Sequence, residues 1–172
     1  QDGDVPATFA DVSELAGWTG FTPATPVVEG VARFVRWYRA YIASYPGDPE
    51  TAQNNVLLAE LLYEDSRFPD AAVEYEKVAY QYPNHAKAAD AGYAALLSYA
   101  GQEKRAAAAE QPALQRASVE SALRFAQAFP ADTRAGSVLT NAAEKLFALR
   151  DGERAAQVAQ QVLALQPAAQ PA

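Results

Sequence analysis

Four kinds of residue in this sequence could carry chemistry by type and spacing. Glu60, Glu64 and Asp65 share one turn region and could pair as general acid and base. Such a pair works only in a cleft that drives its two pKa values apart, and none is implied, so these carboxylates read as surface charge. His85 is the only histidine and the chain has no cysteine, which leaves it without a partner for a zinc set. It reads as a solvent-facing residue at a helix start. Gly17 and Gly20 form only G-x-x-G in a loop with no preceding strand, short of the phosphate-binding fingerprint G-x-G-x-x-G. Tyr75, Tyr80, Tyr82, Tyr93 and Tyr99 recur at hairpin spacing and read as packing residues whose hydroxyls stay wet. No catalytic residue, metal ligand or cofactor contact is expected.

The elements that hold these residues are helices. Of 172 residues, 50% are hydrophobic, enough for one ordinary core or for three to four stacked hairpins. The net charge of −7 argues against a nucleic-acid surface, because phosphate binding needs clustered Lys and Arg. Arg33, Arg36 and Arg39 form one short basic stripe that reads as the solvated side of a helix. No apolar run approaches the roughly 20 residues that span a bilayer, so no membrane insertion is expected. Without cysteine there is no disulfide or thiolate nucleophile, and the redox compartment is unreadable. Residue 1 is Gln with no basic-then-apolar leader after it, as in a processed or excised chain.

The central stretch, Pro49 to Pro83, reads as two amphipathic helices closed by an aromatic-Pro stop. Tyr45-Pro46, Tyr82-Pro83, Phe129-Pro130 and Gln166-Pro167 repeat that stop, 37, 47 and 37 residues apart by their numbers. With Pro83 at the closing position, Leu58, Ala59, Leu62, Ala71, Tyr75 and Val78 fall on the apolar positions of the tetratricopeptide pattern. A hairpin of this kind cannot cover its own apolar face and must stack on neighbours. The expected fold is therefore all-α, a right-handed helical-hairpin solenoid of about seven helices behind an irregular N-terminal segment.

In chain order, residues 1–25 are irregular apart from a short helix at about 11–16, opened by a capping box at Asp11 to Glu14 and stopped by Gly17, with Trp18 and Phe21 packed beneath. Thr25-Pro26 opens a helix over about 26–44 that caps the array and buries Val27, Val31, Phe34, Val35, Tyr38, Tyr41 and Ile42. Helices follow at about 49–65, 68–81, 85–100, 113–128, 133–149 and 152–165, with Asp65-Ser66-Arg67 and Asp151-Gly152 as turns. The first of these puts Ala52, Val56, Ala59 and Tyr63 on its core side. Residues 101–112 explain the 47-residue interval and form either a helical extension or a flexible loop. The repeat domain runs over 26–166, and 167–172 is a frayed tail.

Two resemblances accompany this reading. Residues 1 to about 41, with GDVPATFAD, a short helix ending in Gly-Trp, the Thr-Pro pair and FVRWYRAY, resemble the extreme C-terminus of nucleotide-sugar epimerases of the UDP-glucuronate 4-epimerase type, in the extended short-chain dehydrogenase family. The resemblance implies that Gln1 and Asp4 lie near a uridine ribose. It also implies chemistry that this chain lacks: Lys77, Lys87, Lys104 and Lys145 have no tyrosine four residues upstream, so the Tyr-x-x-x-Lys pair is missing. From about Tyr41 to 166, the text resembles the tetratricopeptide part of exported proteobacterial repeat proteins. That implies a periplasmic or envelope-associated scaffold, the alternative being cytoplasmic. The two parents meet near residues 38–46, inside one helix.

Where the first helix of each hairpin lines the concave surface, that surface carries Gln53, Val56, Glu60, Tyr63 and Glu64, then Ala89, Tyr93 and Leu96, then Thr140, Glu144 and Phe147. Aromatic and acidic groups together suit an extended peptide with basic residues. The expected function is a non-enzymatic scaffold for a protein or peptide partner. The alternative is a remnant of the epimerase, inactive without its NAD-binding domain. Oligomeric state is not legible at this level.

Overall fold

The computed structural model describes residues 11–22, 24–46, 48, 50–82 and 85–165. Among them the chain forms eight helices and no strand: α1 (Ser13–Thr19), α2 (Val27–Ser44), α3 (Thr51–Glu64), α4 (Phe68–Gln81), α5 (Ala88–Arg105), α6 (Gln111–Ala128), α7 (Ala135–Ala148) and α8 (Gly152–Leu165). Contacts divide the chain into two compact units, residues 1–40 and 41–172, with the division inside α2.

In the first unit α1 is short and buries no residue. The Asp11 carboxylate accepts hydrogen bonds from the backbone N–H and hydroxyl of Ser13. The helix runs through Gly17 and stops at Gly20, which at φ 67° supplies the left-handed cap and donates its N–H to the Ala16 carbonyl. Trp18 and Phe21 pack beneath nothing here: they are 83% and 61% exposed. On the part of α2 in this unit, Val35 and Tyr38 are buried and Val31 half-buried, whereas Phe34 lies off that stripe, stacked on Tyr38 with ring centroids 5.3 Å apart.

In the second unit each helix from α3 to α8 packs on the next, forming an array of helical hairpins. The turn into α3 is organised by Asp48, whose carboxylate accepts from the Glu50 N–H (2.8 Å) and the Tyr41 hydroxyl (3.1 Å). Leu58 and Leu62 of α3 close against Ala71 and Val78 of α4, and Phe125 of α6 packs with Leu139 and Leu146 of α7; all are essentially without exposed surface. Each such large side chain contributes about 1.5–3 kcal/mol by leaving water. Val56, expected on the concave surface, is buried instead.

A buried polar network pins α3 to α4. The Asn55 side chain donates to the Glu74 carbonyl (3.0 Å) and carboxylate (3.2 Å), and accepts from the Tyr82 hydroxyl (3.3 Å). Lys77 supplies the counter-charge, 2.9 Å from the same carboxylate. The tyrosine hydroxyls are therefore not uniformly wet. Tyr82 and Tyr99 are hydrogen-bonded to Asn55 and Glu76, while the Tyr80 hydroxyl is buried with no hydrogen-bond partner among the described residues. Burial, with the nearby Glu76 carboxylate, pushes Tyr80 up to about 12.

The 47-residue interval is resolved as helix. α5 and α6 each have 18 residues, where α3, α4, α7 and α8 have 14, so the added segment lengthens both helices of the middle hairpin by about one turn. Gly101 lies in this extension. A Cβ there would meet the Phe68 ring at 2.8 Å, so only glycine lets α5 approach α4 this closely. The shorter hairpins end in matching turns. Arg67 N–H donates to the Leu62 carbonyl and Ser66 N–H to that of Tyr63; Asp151 and Arg150 donate likewise to Leu146 and Phe147. The left-handed position in these turns falls on Ser66 (φ 61°) and Arg150 (φ 62°). Gly152, expected in the second turn, is instead the first residue of α8.

Two outcomes follow for stability. Arg150→Gly should raise it by about 0.5–1 kcal/mol, because an exposed L-residue at positive φ carries a steric cost that glycine lacks. Gly101→Ala should lower it by about 1 kcal/mol or more, since overpacking of about 1–3 kcal/mol exceeds the helix-propensity gain of about 1. Urea titration of both variants against wild type reads the two signs.

Candidate functional site

The best-formed hollow in the second unit lies between α5, α6 and α7, with a volume of about 310 Å³. Tyr93, Leu96, Leu97 and Ala100 of α5 and Val138 and Ala142 of α7 supply apolar walls; Ser137, Asn141, Ser118 and Lys145 supply polar ones. These positions recur every three or four residues, which is why one face of each helix lines the same space. A wider, shallower depression of about 850 Å³ runs along the other side of α7 and shares Ser137 and Asn141 with it. Together they make one strip across α7.

Two cations fix the walls. Lys145, only 17% exposed, donates to the Glu103 carboxylate at 2.6 Å and to the Ser118 hydroxyl at 2.8 Å, tying α7 to α5 and α6. Arg134 grips Asp132 through two bonds of 2.8 and 2.7 Å and reaches Asp90 of α5 at 2.9 Å. Its guanidinium also sits over the Tyr93 ring, 4.8 Å from the centroid. Hydrogen bonding to Arg134 holds the Asp132 carboxyl below its ordinary value, and Asp132 first, then Asp90, raises the guanidinium's. Neither cation is available to a ligand as an unmatched charge.

The residues singled out on the sequence do not converge on one surface. Tyr93 lines the 310 Å³ hollow, whereas Thr140 and Glu144 line the adjoining depression. Gln53, Glu60 and Glu64 are exposed on α3 and line neither. Tyr63 is engaged within its own hairpin, edge-on to Phe68 (5.2 Å) and Tyr75 (6.5 Å). Phe147, 76% exposed, borders a separate hollow with Ala148, Arg150 and Gly152. Gln1 and Asp4, with the closing Pro83 and Pro167, lie outside the described residues.

His85 is half-buried rather than solvent-facing, and its Nδ1 accepts the Lys87 N–H at 3.3 Å ahead of α5. Glu60, Glu64 and Asp65 form no enclosed pair; burial, with the first two charges, pushes the Tyr75 hydroxyl up to about 12. No group of three or more His, Cys, Asp or Glu among the described residues could hold a metal ion.

Sequence reasoning missed Arg134, Asn141 and the structural role of Lys145. The available signal was the Asp132-x-Arg134 spacing before a helix, an Asx turn in which the Asp132 carboxylate accepts the Arg134 N–H at 2.8 Å.

The groove's rigidity can be measured. Glu103→Gln should cost about 1–2 kcal/mol, because it leaves a largely buried ammonium without its carboxylate, although residual exposure tempers the loss. Replacing both partners, Glu103→Leu with Lys145→Met, should recover most of that. Thermal denaturation of the single and double variants gives the comparison.

No known protein family matches the chain. Over 38 residues, 22% of its length, the chain is 60% identical to a probable UDP-glucuronate 4-epimerase of Rhizobium meliloti (strain 1021). It covers 11% of that enzyme, and the described residues, having no strand, contain no sheet of the kind that binds a dinucleotide.

Proposed function

We propose that the hairpin array of residues 41–165 is a non-enzymatic scaffold that holds an extended peptide across α7, with one apolar side chain seated between α5 and α7. The observation that carries this reading is the 310 Å³ hollow itself. It sits at the lower end of ligand-pocket sizes, suited to one anchoring side chain rather than a cofactor. Its shared residues with the adjoining depression give the rest of a peptide somewhere to lie. The charges left unmatched on this side favour a basic peptide: Glu144 on α7 and Glu60 and Glu64 on α3 make no ion pair among the described residues, while Lys145 and Arg134 are already paired. No helix among the described residues is long and apolar enough to cross a membrane.

A second reading rests on the 38 residues shared with the epimerase: the N-terminal unit derives from a nucleotide-sugar enzyme and acts only beside a dinucleotide-binding domain. The two readings separate by ligand. Peptides alternating Lys or Arg with Leu or Phe should bind the wild type by fluorescence anisotropy and bind Leu97→Asp at least about tenfold more weakly. Leu97 is 43% exposed, so the substitution leaves the fold intact. Equal binding by both proteins would remove the groove as the site. A rise in melting temperature with NAD or a UDP-sugar would favour the enzyme-derived reading.

A further inference from the structure

The first and last hairpins of the array are one structure read 84 positions apart. Their turns carry the same backbone hydrogen bonds and the same left-handed residue, so Arg67 corresponds to Asp151 and every other position follows at that offset. Burial differs in one direction only. On α4, Phe68, Glu76 and Tyr80 meet Gly101, Tyr99 and Gly92 of α5, and Ala72 and Ala79 lie along that stripe, 2% and 8% exposed. Their counterparts on α8 are open: Ala156 is exposed and Leu163 is 71% exposed. The same holds on the partner helix, where half-buried Tyr63 corresponds to Phe147 at 76%. The face that α5 covers in the first hairpin is uncovered in the last.

We infer that this outer face of α7 and α8 is an interface, and that its occupant is the same face of a second copy of this chain. Charge selects that occupant. The chain carries −7 overall, so copies repel wherever carboxylates must approach, yet α8 has no charged residue from Ala155 to Leu165. Charge depletion of this kind marks the core of protein interfaces. Shape agrees. A two-fold pairing must set residue i against j and j against i. Antiparallel α8 helices crossing between Ala159 and Gln160 place Leu163 of each copy against Ala156 of the other, a large side chain over a small one. A face that already matches a buried helix contact inside the same chain needs no rearrangement to accept one from outside.

The absence of native cysteine makes the test direct. Gln160→Cys places a single thiol near the two-fold axis, and mild oxidation of the intact chain should give a disulfide-linked dimer. Glu60→Cys, exposed but remote from this face, should stay monomeric under the same conditions. By sedimentation velocity, wild type at about 100 μM should run as a dimer and Leu163→Glu as a monomer with unchanged helical content. A monomeric wild type would overturn the inference. So would a dimer that survives Leu163→Glu but is lost with Trp37→Glu, which would move the contact to the N-terminal unit's exposed aromatic residues.

Discussion

The array depends on how closely α5 can lie against α4. That contact is the most extensive between any two helices of the chain, and it joins the first hairpin to the other two. It is possible because glycine stands where the helices touch: Gly101 faces the Phe68 ring, and Gly92 faces Phe125, Phe129 and the Tyr80 hydroxyl, all within about van der Waals distance of an added Cβ. Large aromatic residues on one side require missing side chains on the other. Interior packing is too dense to absorb the difference elsewhere.

That close contact leaves alternate helices near enough to be bridged by polar side chains. Ser121 of α6 donates to Glu76 of α4 at 2.8 Å, and Arg154 of α8 reaches Glu120 of α6 at 2.7 Å. Across α5 and α7 the bridges are Lys145 with Glu103 and Arg134 with Asp90. The last two border the proposed peptide groove, so its width is held by charge pairs that are already matched. The open charges around it are acidic, which gives the groove its electrostatic character.

Much of the array was legible because apolar residues recur with helical period and because turns have chemical signatures. The helix over 68–81 was legible to the residue, since Phe68-Pro69 opens it and Tyr82 closes it in extended backbone. The α3–α4 turn at Asp65 to Arg67 was also legible. The α7–α8 turn was misplaced by two residues, because Gly152 is the usual left-handed choice and Arg150 takes that conformation in its stead. Gly17 misled in the same way, with Gly20 three residues further on providing the cap. Glycine permits positive φ but does not require it.

The sequence by itself determined the secondary structure class, the hairpin period and the absence of thiol chemistry, because these follow from residue type and local spacing. Tertiary structure decided which exposed-looking residues share a surface. Tyr63 and Tyr93 occupy similar places in their helices, yet one packs within its own hairpin while the other lines a groove under Arg134. Lys145 is an ordinary lysine in the text and a largely buried charge in the fold. The reason is geometric: helical period names the face on which a side chain lies, but what that face meets depends on helices tens of residues away.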